Sequence, residues 1–218
     1  MDVKSMVLLF SGGVDSTTLL ALCQKNGYDV FPLYINYGQR ACRLEEEAVR
    51  KLGQHYGVCV KRAAVPIPAF LNESQMINGE EEIPSIEDEE QAFAKEFVPH
   101  RNLFLLTLAA MYAHSLGIST VGLGVYSGSV LRYSDCTLEF LQKAQETIAV
   151  SSGNSAISIY APFVHMDKEN ITKVAADLDV PIDTTVSCNM GVHKPCGVCS
   201  SCMERRRVLE RIGGAGNG

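Results

Sequence analysis

No apolar run in the 218-residue sequence is long enough to cross a bilayer. The longest, Leu103 to Leu116, is broken by Thr107, Tyr112 and His114 and falls short of the ~20 residues a spanning helix needs, so it predicts a buried helix. The stretch from Met6 to Phe10 is likewise too short for a secretory leader, and the expected compartment is the cytoplasm. Positive charge is also scarce. With 19 basic against 25 acidic residues the net charge is −6, which argues against a direct nucleic-acid binder. Charged residues are only 20% and hydrophobic ones 46%, which excludes a disordered chain and suits one well-packed domain. Internal repeats are absent.

What is present alternates between short apolar strands and helical segments. Met6–Phe10, Val30–Ile35, Val58–Val65, Thr120–Val125 and Ile157–Tyr160 read as strands, with Pro32 weakening the start of the second. Helices are expected over Asp15–Gln24, Arg43–His55, a stretch capped by Asn102 and ending near Leu116, Leu138–Val150, and a stretch capped by Asp167 and reaching Leu178. A last helix carries Glu204-Arg205-Arg206-Arg207. Strands separated by helices predict an α/β fold with a mostly parallel sheet. The chain is expected to be one domain over 1–218, with an insertion at 66–96 and a metal-binding segment at 186–212. The insertion is rich in proline and acid, as solvated surface loops are, and a lid over a ligand is the functional alternative.

Ser11-Gly12-Gly13-Val14-Asp15-Ser16 joins the first strand to the first helix. Glycines let backbone approach an anion, free amides at a helix start point toward it, and the hydroxyls of Ser11, Ser16 and Thr17 add donors. Asp15 suits a phosphate site only with a magnesium ion between them. The segment lacks the lysine of a Walker loop and is not Gly-x-Gly-x-x-Gly. The plainer alternative is a tight turn with Asp15 or Ser16 as the helix cap.

Of eight cysteines, Cys188, Cys196, Cys199 and Cys202 fall within 15 residues. Four thiolates so spaced suit tetrahedral zinc in a closed, structural site; iron–sulfur ligation is the competing reading, and disulfides are disfavoured. Asp135 and Glu139 are candidate ligand-binding carboxylates, since a carboxylate can accept from two N–H groups together. As plainer alternatives, Asp135 is a helix-start acid and Glu139 a surface acid.

The Ser11–Ser16 loop resembles the pyrophosphate loop of the N-type ATP pyrophosphatases. That loop, Tyr37-Gly38-Gln39-Arg40, Phe97-Val98-Pro99-His100-Arg101-Asn102, Asp135-Cys136 with Glu139-Phe140, Lys168 and the cysteine cluster occur in one order resembling the QueC family over about residues 6–210. The resemblance implies a Rossmann-like fold (HUP, adenine nucleotide α-hydrolase-like): a parallel sheet flanked by helices, with a C-terminal zinc-binding segment. It implies AMP-forming conversion of 7-carboxy-7-deazaguanine and ammonia through an amide to a nitrile, with ATP, magnesium and zinc as cofactors and often a homodimer. Leu9, Phe10, Ser11, Gly12, Gly13, Val14, Asp15, Ser16, Thr17 and Thr18 would hold ATP, Asp15 with magnesium. Lys168 and Arg101 would neutralise phosphate charge. Gln39, Arg40, Arg101, Asn102, Asp135 and Glu139 would bind substrate, with Asp135 and Glu139 reading its guanine-like edge.

The sequence departs from the family pattern at Ala41, where a His is usual, and along Ser129 to Thr137 before and around Asp135. QueC-like proteins also occur in antiphage defence (CBASS) operons, where the resemblance implies joining a deazaguanine to a partner protein. A non-catalytic nucleotide-binding module is the third reading, opposed by the retained Asp15 and Lys168.

Overall fold

The computed structural model describes residues 4–68, 74–77, 89–126, 133–153, 156–192 and 195–214. Five parallel strands run in the order β3-β2-β1-β4-β5: β1 (Ser5–Leu9), β2 (Asp29–Asn36), β3 (Lys61–Ala64), β4 (Thr120–Gly122) and β5 (Ser158–Tyr160). Between them come α1 (Val14–Lys25), α2 (Cys42–His55), α3 (Glu89–Glu96), α4 (Arg101–Ser115) and α5 (Leu138–Ser152). After β5 follow α6 (Lys168–Asp177) and α7 (Ser200–Gly214).

The continuous apolar run of β1 is explained by its central place. Met6, Leu8 and Phe10 pack on one side of the sheet with Leu19, Leu20, Val49, Leu52 and Ile171 of α1, α2 and α6. Val7 and Leu9 pack on the other with Leu106 and Ala109 of α4 and Leu141 of α5. A strand covered by helices on both faces has no need of alternating polar residues.

The parallel alternation read from the sequence is therefore observed, and two details differ. Strand β2 runs straight through Pro32. Phe10 N–H donates to Leu33 O at 2.9 Å, so Leu33 bonds toward β1 and Pro32 faces the other way. Pairing with β3 begins only at Leu33, so the missing Pro32 N–H costs no ladder bond. Asn102 is not the cap of α4 but lies within its first turn. The cap is His100, held in the left-handed region at φ 63°. For a non-glycine residue that conformation costs about 1 kcal/mol, and it fixes the entry of the helix that carries Arg101. Asp167 does cap α6, accepting from Asn170 N–H at 2.8 Å.

The strand order reverses beside β1, with β2 on one side and β4 on the other. In open α/β sheets the carboxyl edge at such a switch point is where ligands bind. The Ser11–Ser16 loop leaves β1 at that edge.

Candidate active site

A cavity of about 750 Å³ opens there, a size suited to a nucleotide-scale ligand. Leu9, Phe10, Ser11, Gly13, Val14, Asp15 and Ser16 form part of its wall. The first helical bond of α1 is Thr17 N–H to Gly13 O at 3.0 Å, so the amides of Val14, Asp15 and Ser16 have no intrahelical acceptor. Neither Asp15 nor Ser16 caps the helix; the cap residue is Gly13, which has no side chain to offer. Ser11 Oγ and Ser16 Oγ stand 3.3 Å apart on the wall. The loop is thus a cradle of donors rather than a closed turn.

Three of the expected ATP-binding residues stand behind it. Gly12 accepts from Val186 N–H at 3.0 Å. Thr17 and Thr18 are fully buried and donate to Gly13 O and Val14 O at 2.8 and 2.7 Å. The expected Thr17 donor is therefore corrected, its hydroxyl being spent on Gly13 O, and the Ser16 hydroxyl also donates to Gly13 O at 3.1 Å, so the cradle's free donors are its amides.

Lys168, the first residue of α6, reaches across to Asp15, with Nζ 2.8 and 2.7 Å from the two carboxylate oxygens. It lies 4.9 Å from the centre of the Tyr126 ring, and Tyr126 donates to Glu204 on α7. Backbone space at this point is minimal. A Cβ on Gly124 would stand 3.0 Å from the Asp15 carbonyl carbon, so glycine lets the chain after β4 pass close to the start of α1 without crowding it.

Arg101, Asn102, Tyr37, Gln39, Tyr133 and Cys136 form another part of the wall. Burial works against the Arg101 charge, but Tyr37 and Asp135 beside it more than offset this and its pKa is raised. Asn102 donates through Nδ2 to Asp135 O at 2.9 Å, and its N–H donates to Asp135 Oδ2 at 3.2 Å. Asp135 is buried and not part of the wall; its carboxylate satisfies the start of α4. Burial, with Asp135 adjacent, pushes the Cys136 thiol up to about 12, so at neutral pH it is a thiol and not a nucleophile.

Gln39 is placed here for a different reason than expected. Its Oε1 accepts from Tyr37 N–H at 2.8 Å, and its Nε2 donates to Glu45 at 2.5 Å, Tyr34 Oη at 3.2 Å and Ile35 O at 3.3 Å. Those bonds consume the amide, so Gln39 shapes the turn after β2 rather than offering itself to a ligand. Arg40 is not on the wall. Glu139 is exposed and paired with Lys143 at 2.7 Å, outside the cavity, as its plainer reading held. Ser129, Val130, Leu131 and Arg132 lie outside the described residues.

The sequence reading missed Glu45, which is on the wall beside Gln39. Burial raises its pKa despite hydrogen bonds from Gln39 and Tyr34 that pull it down. A carboxyl lifted above its unfolded value adds stability that is complete below about pH 4 and is lost as pH rises through the folded pKa. Glu45→Gln is therefore expected to lose less stability than the parent between pH 5 and 8 in urea titrations; equal slopes would contradict this. The only sequence signal was an acid in the first turn of an amphipathic helix.

Cys188, Cys196, Cys199 and Cys202 come together with their sulfurs all within 4.8 Å of one another. Cys196 and Cys202 Sγ are 3.9 Å apart, close to the ~3.8 Å edge of a tetrahedron with 2.3 Å zinc–sulfur bonds. Backbone N–H groups of Cys199 and Cys202 point at Cys196 and Cys199 Sγ (3.3 and 3.4 Å), the arrangement that favours thiolates. The donor set fits zinc.

Glu96, also missed, ties this segment to the rest of the chain. It is fully buried and accepts from Asn189 Nδ2, Ser200 N–H and Ser200 Oγ, the last two at the start of α7. On the other side Gly191, at φ 66°, presses on the Arg40 backbone; a Cβ there would lie 2.1 Å from Arg40 O. Gly191→Ala is expected to destabilise the protein by more than about 2 kcal/mol in chemical denaturation, and an unchanged midpoint would refute the contact.

Similar solved structures include NMN synthetase from Francisella tularensis, with a TM-score of 0.52 and 15% identity over 97% of this chain and 78% of that one. A 4-thiouridine synthetase, solved as an RNA complex with bound ATP, gives a TM-score of 0.50 and 16% identity over 96% of this chain and 50% of that one. Sheet order and these neighbours define the fold class: an α/β parallel sheet flanked by helices, shared with both synthetases.

Sequence resolves the class further. The family described as "Queuosine biosynthesis protein QueC" matches residues 5–213, and the chain belongs to it. It is 35% identical over 211 residues to 7-cyano-7-deazaguanine synthase 1 of Desulfitobacterium hafniense (strain Y51), covering 96% of this chain and 93% of the relative. It is also 35% identical over 215 residues to the 7-cyano-7-deazaguanine synthase of Marinomonas sp. (strain MWYL1), covering 96% and 95%. The chain is accordingly an enzyme of a ligase-type family of queuosine biosynthesis. Among the described residues no helix is long and apolar enough to cross a membrane.

Proposed function

We propose that the protein converts 7-carboxy-7-deazaguanine, ATP and ammonia to 7-cyano-7-deazaguanine. One observation carries the reading: a single cavity holds the donor cradle of β1 and α1, the Lys168–Asp15 pair and the half-buried cation Arg101. The PP-loop neighbour solved with ATP supports the same nucleotide for this loop.

A carboxylate is a poor electrophile, and adenylation cures this. The substrate carboxylate attacks the α-phosphorus of ATP and pyrophosphate leaves. Ammonia then displaces AMP to give the amide. A second ATP adenylates the amide oxygen, and loss of AMP with two protons from nitrogen leaves the nitrile. No protein nucleophile is required, in keeping with the neutral Cys136 thiol. The protein's part is positioning and charge stabilisation: loop amides and Lys168 hold the phosphates and stabilise charge as pyrophosphate departs. Asp15 is the carboxylate that would hold magnesium, which neutralises phosphate charge when bound. Asn102 and Arg101 are proposed to face the substrate, while Asp135 acts through Asn102.

The four cysteines are proposed to bind zinc structurally, because a site closed by four thiolates leaves no position for water. A homodimer is proposed from the family resemblance; light scattering should give twice the chain mass of 23.7 kDa, and that mass alone would exclude it.

The adenylation step has its own test. Without ammonium, radiolabelled pyrophosphate should exchange into ATP only when 7-carboxy-7-deazaguanine and magnesium are present. Exchange independent of the acid, or none, would overturn the reading.

A further inference from the structure

Arg101 is a half-buried cation on the cavity wall whose hydrogen bonds are weak. A guanidinium offers five N–H donors. Those of Arg101 reach the Met76 sulfur at 3.4 Å, a poor acceptor, and the neutral Tyr37 phenol. Among the described residues no carboxylate lies within 4 Å of it to form an ion pair. Asp135 and Glu45 act on it from farther away, Asp135 already accepting from Asn102 and Glu45 from Gln39. A charge half withdrawn from water without a direct counter-ion is costly in proportion, and a ligand carboxylate would supply the missing partner.

Beside it the wall is flat and aromatic. Phe93 and Tyr133 stack with ring centres 3.9 Å apart and planes 10° from parallel, and both line the cavity. The Arg101 guanidinium carbon is 5.9 Å from the centre of the Tyr133 ring. Phe93 is held by α3, whose end is fixed through Glu96, and Tyr133 donates to Phe93 O at 3.2 Å. A planar donor fork beside a planar apolar wall matches a ligand with the same two features: a flat ring and a carboxylate on it.

We propose that Arg101 and the Phe93–Tyr133 pair form the subsite for the aromatic acid, with Arg101 gripping its carboxylate and so favouring acid over amide. This rests on the reaction proposed above and adds to it a division of labour. The stacked rings serve the acid, amide and nitrile alike, whereas the guanidinium serves the charged acid, and the neutral nitrile leaves without breaking a charge-assisted bond.

The test is titration of 7-carboxy-, 7-carboxamide- and 7-cyano-7-deazaguanine by calorimetry without ATP, on the parent, Arg101→Met, Arg101→Lys and Phe93→Ala, each checked for folding. Arg101→Met should weaken acid binding by about 30-fold or more and the amide by less than about 3-fold. Phe93→Ala should weaken both by about 10-fold. If Arg101→Met does not fold, Arg101→Lys must show the same order, the acid losing at least about 5-fold more than the amide because the fork is gone. Equal losses of acid and amide in the Arg101 variants would overturn the proposal while leaving the reaction standing. So would an effect on ATP affinity alone, which would make Arg101 a phosphate ligand. A parent that binds none of the three compounds would overturn both.

Discussion

Lys168→Met is expected to slow AMP formation by ~10²–10³-fold while the protein stays folded. Lys168 starts α6, whose Asp167 cap survives the change, and its Nζ is bound to both oxygens of Asp15 at 2.7 and 2.8 Å. The pair is mostly screened from solvent, with side chains 16% and 21% exposed, so the charge is available where phosphate would sit and is little weakened by water. Losing it should raise the barrier for pyrophosphate departure more than it weakens ATP binding. The expected signature is a fall in kcat larger than the rise in KM for ATP, read by pyrophosphate release. Removing the lysine leaves Asp15 without its partner in a largely screened site, so stability should fall by roughly 1–3 kcal/mol, and folding is checked alongside the rate. A fall in rate under about 5-fold would show that Lys168 serves only as the counter-ion of Asp15.

Cys199→Ser is expected to abolish metal binding and lower stability by more than about 3 kcal/mol. Cys199 is fully buried, and its sulfur accepts from Cys202 N–H. The local apolar cluster consists of Cys188, Met190, Cys199 and Cys202, with Val192 and Cys196 at its edge, and is separate from the two larger cores. So few side chains cannot hold an irregular segment in place, and metal ligation is the natural staple. The parent should carry one zinc per chain by elemental analysis, and a strong chelator should lower its melting temperature toward that of the variant. Iron in place of zinc would favour the cluster reading; a metal-free parent of unchanged stability would remove the site.

The parts of this site legible in the sequence were contiguous ones. The β1–loop–α1 segment announces itself because five apolar residues, two glycines and a helix start occupy consecutive positions. The cysteines do so because three of the four stand three residues apart. Asp167 was legible as a cap because capping acts over three residues. The unread parts depend on partners far along the chain. Glu96 meets Ser200, 104 residues away, and nothing near it marks an acid that is fully buried. The Phe93–Tyr133 stack joins an acidic insertion to the loop before α5. Gln39 shows the converse: the residue was legible in the family motif, but its work was not, since its partners Tyr34 and Glu45 appear only once β2 and α2 fold together. Glu139 looked like Asp135 in sequence, but Asp135 is buried in a short helical turn before α5, while Glu139 is exposed in the first turn of α5 and paired with Lys143.

The central claim is tested most directly by product identity. The protein is incubated with ATP, magnesium, ammonium and 7-carboxy-7-deazaguanine, and the products are separated and weighed by mass spectrometry. The predicted result is 7-cyano-7-deazaguanine with two AMP formed per nitrile. Accumulation of the amide alone, a deazaguanine adduct on a partner protein, or no AMP at all would contradict it.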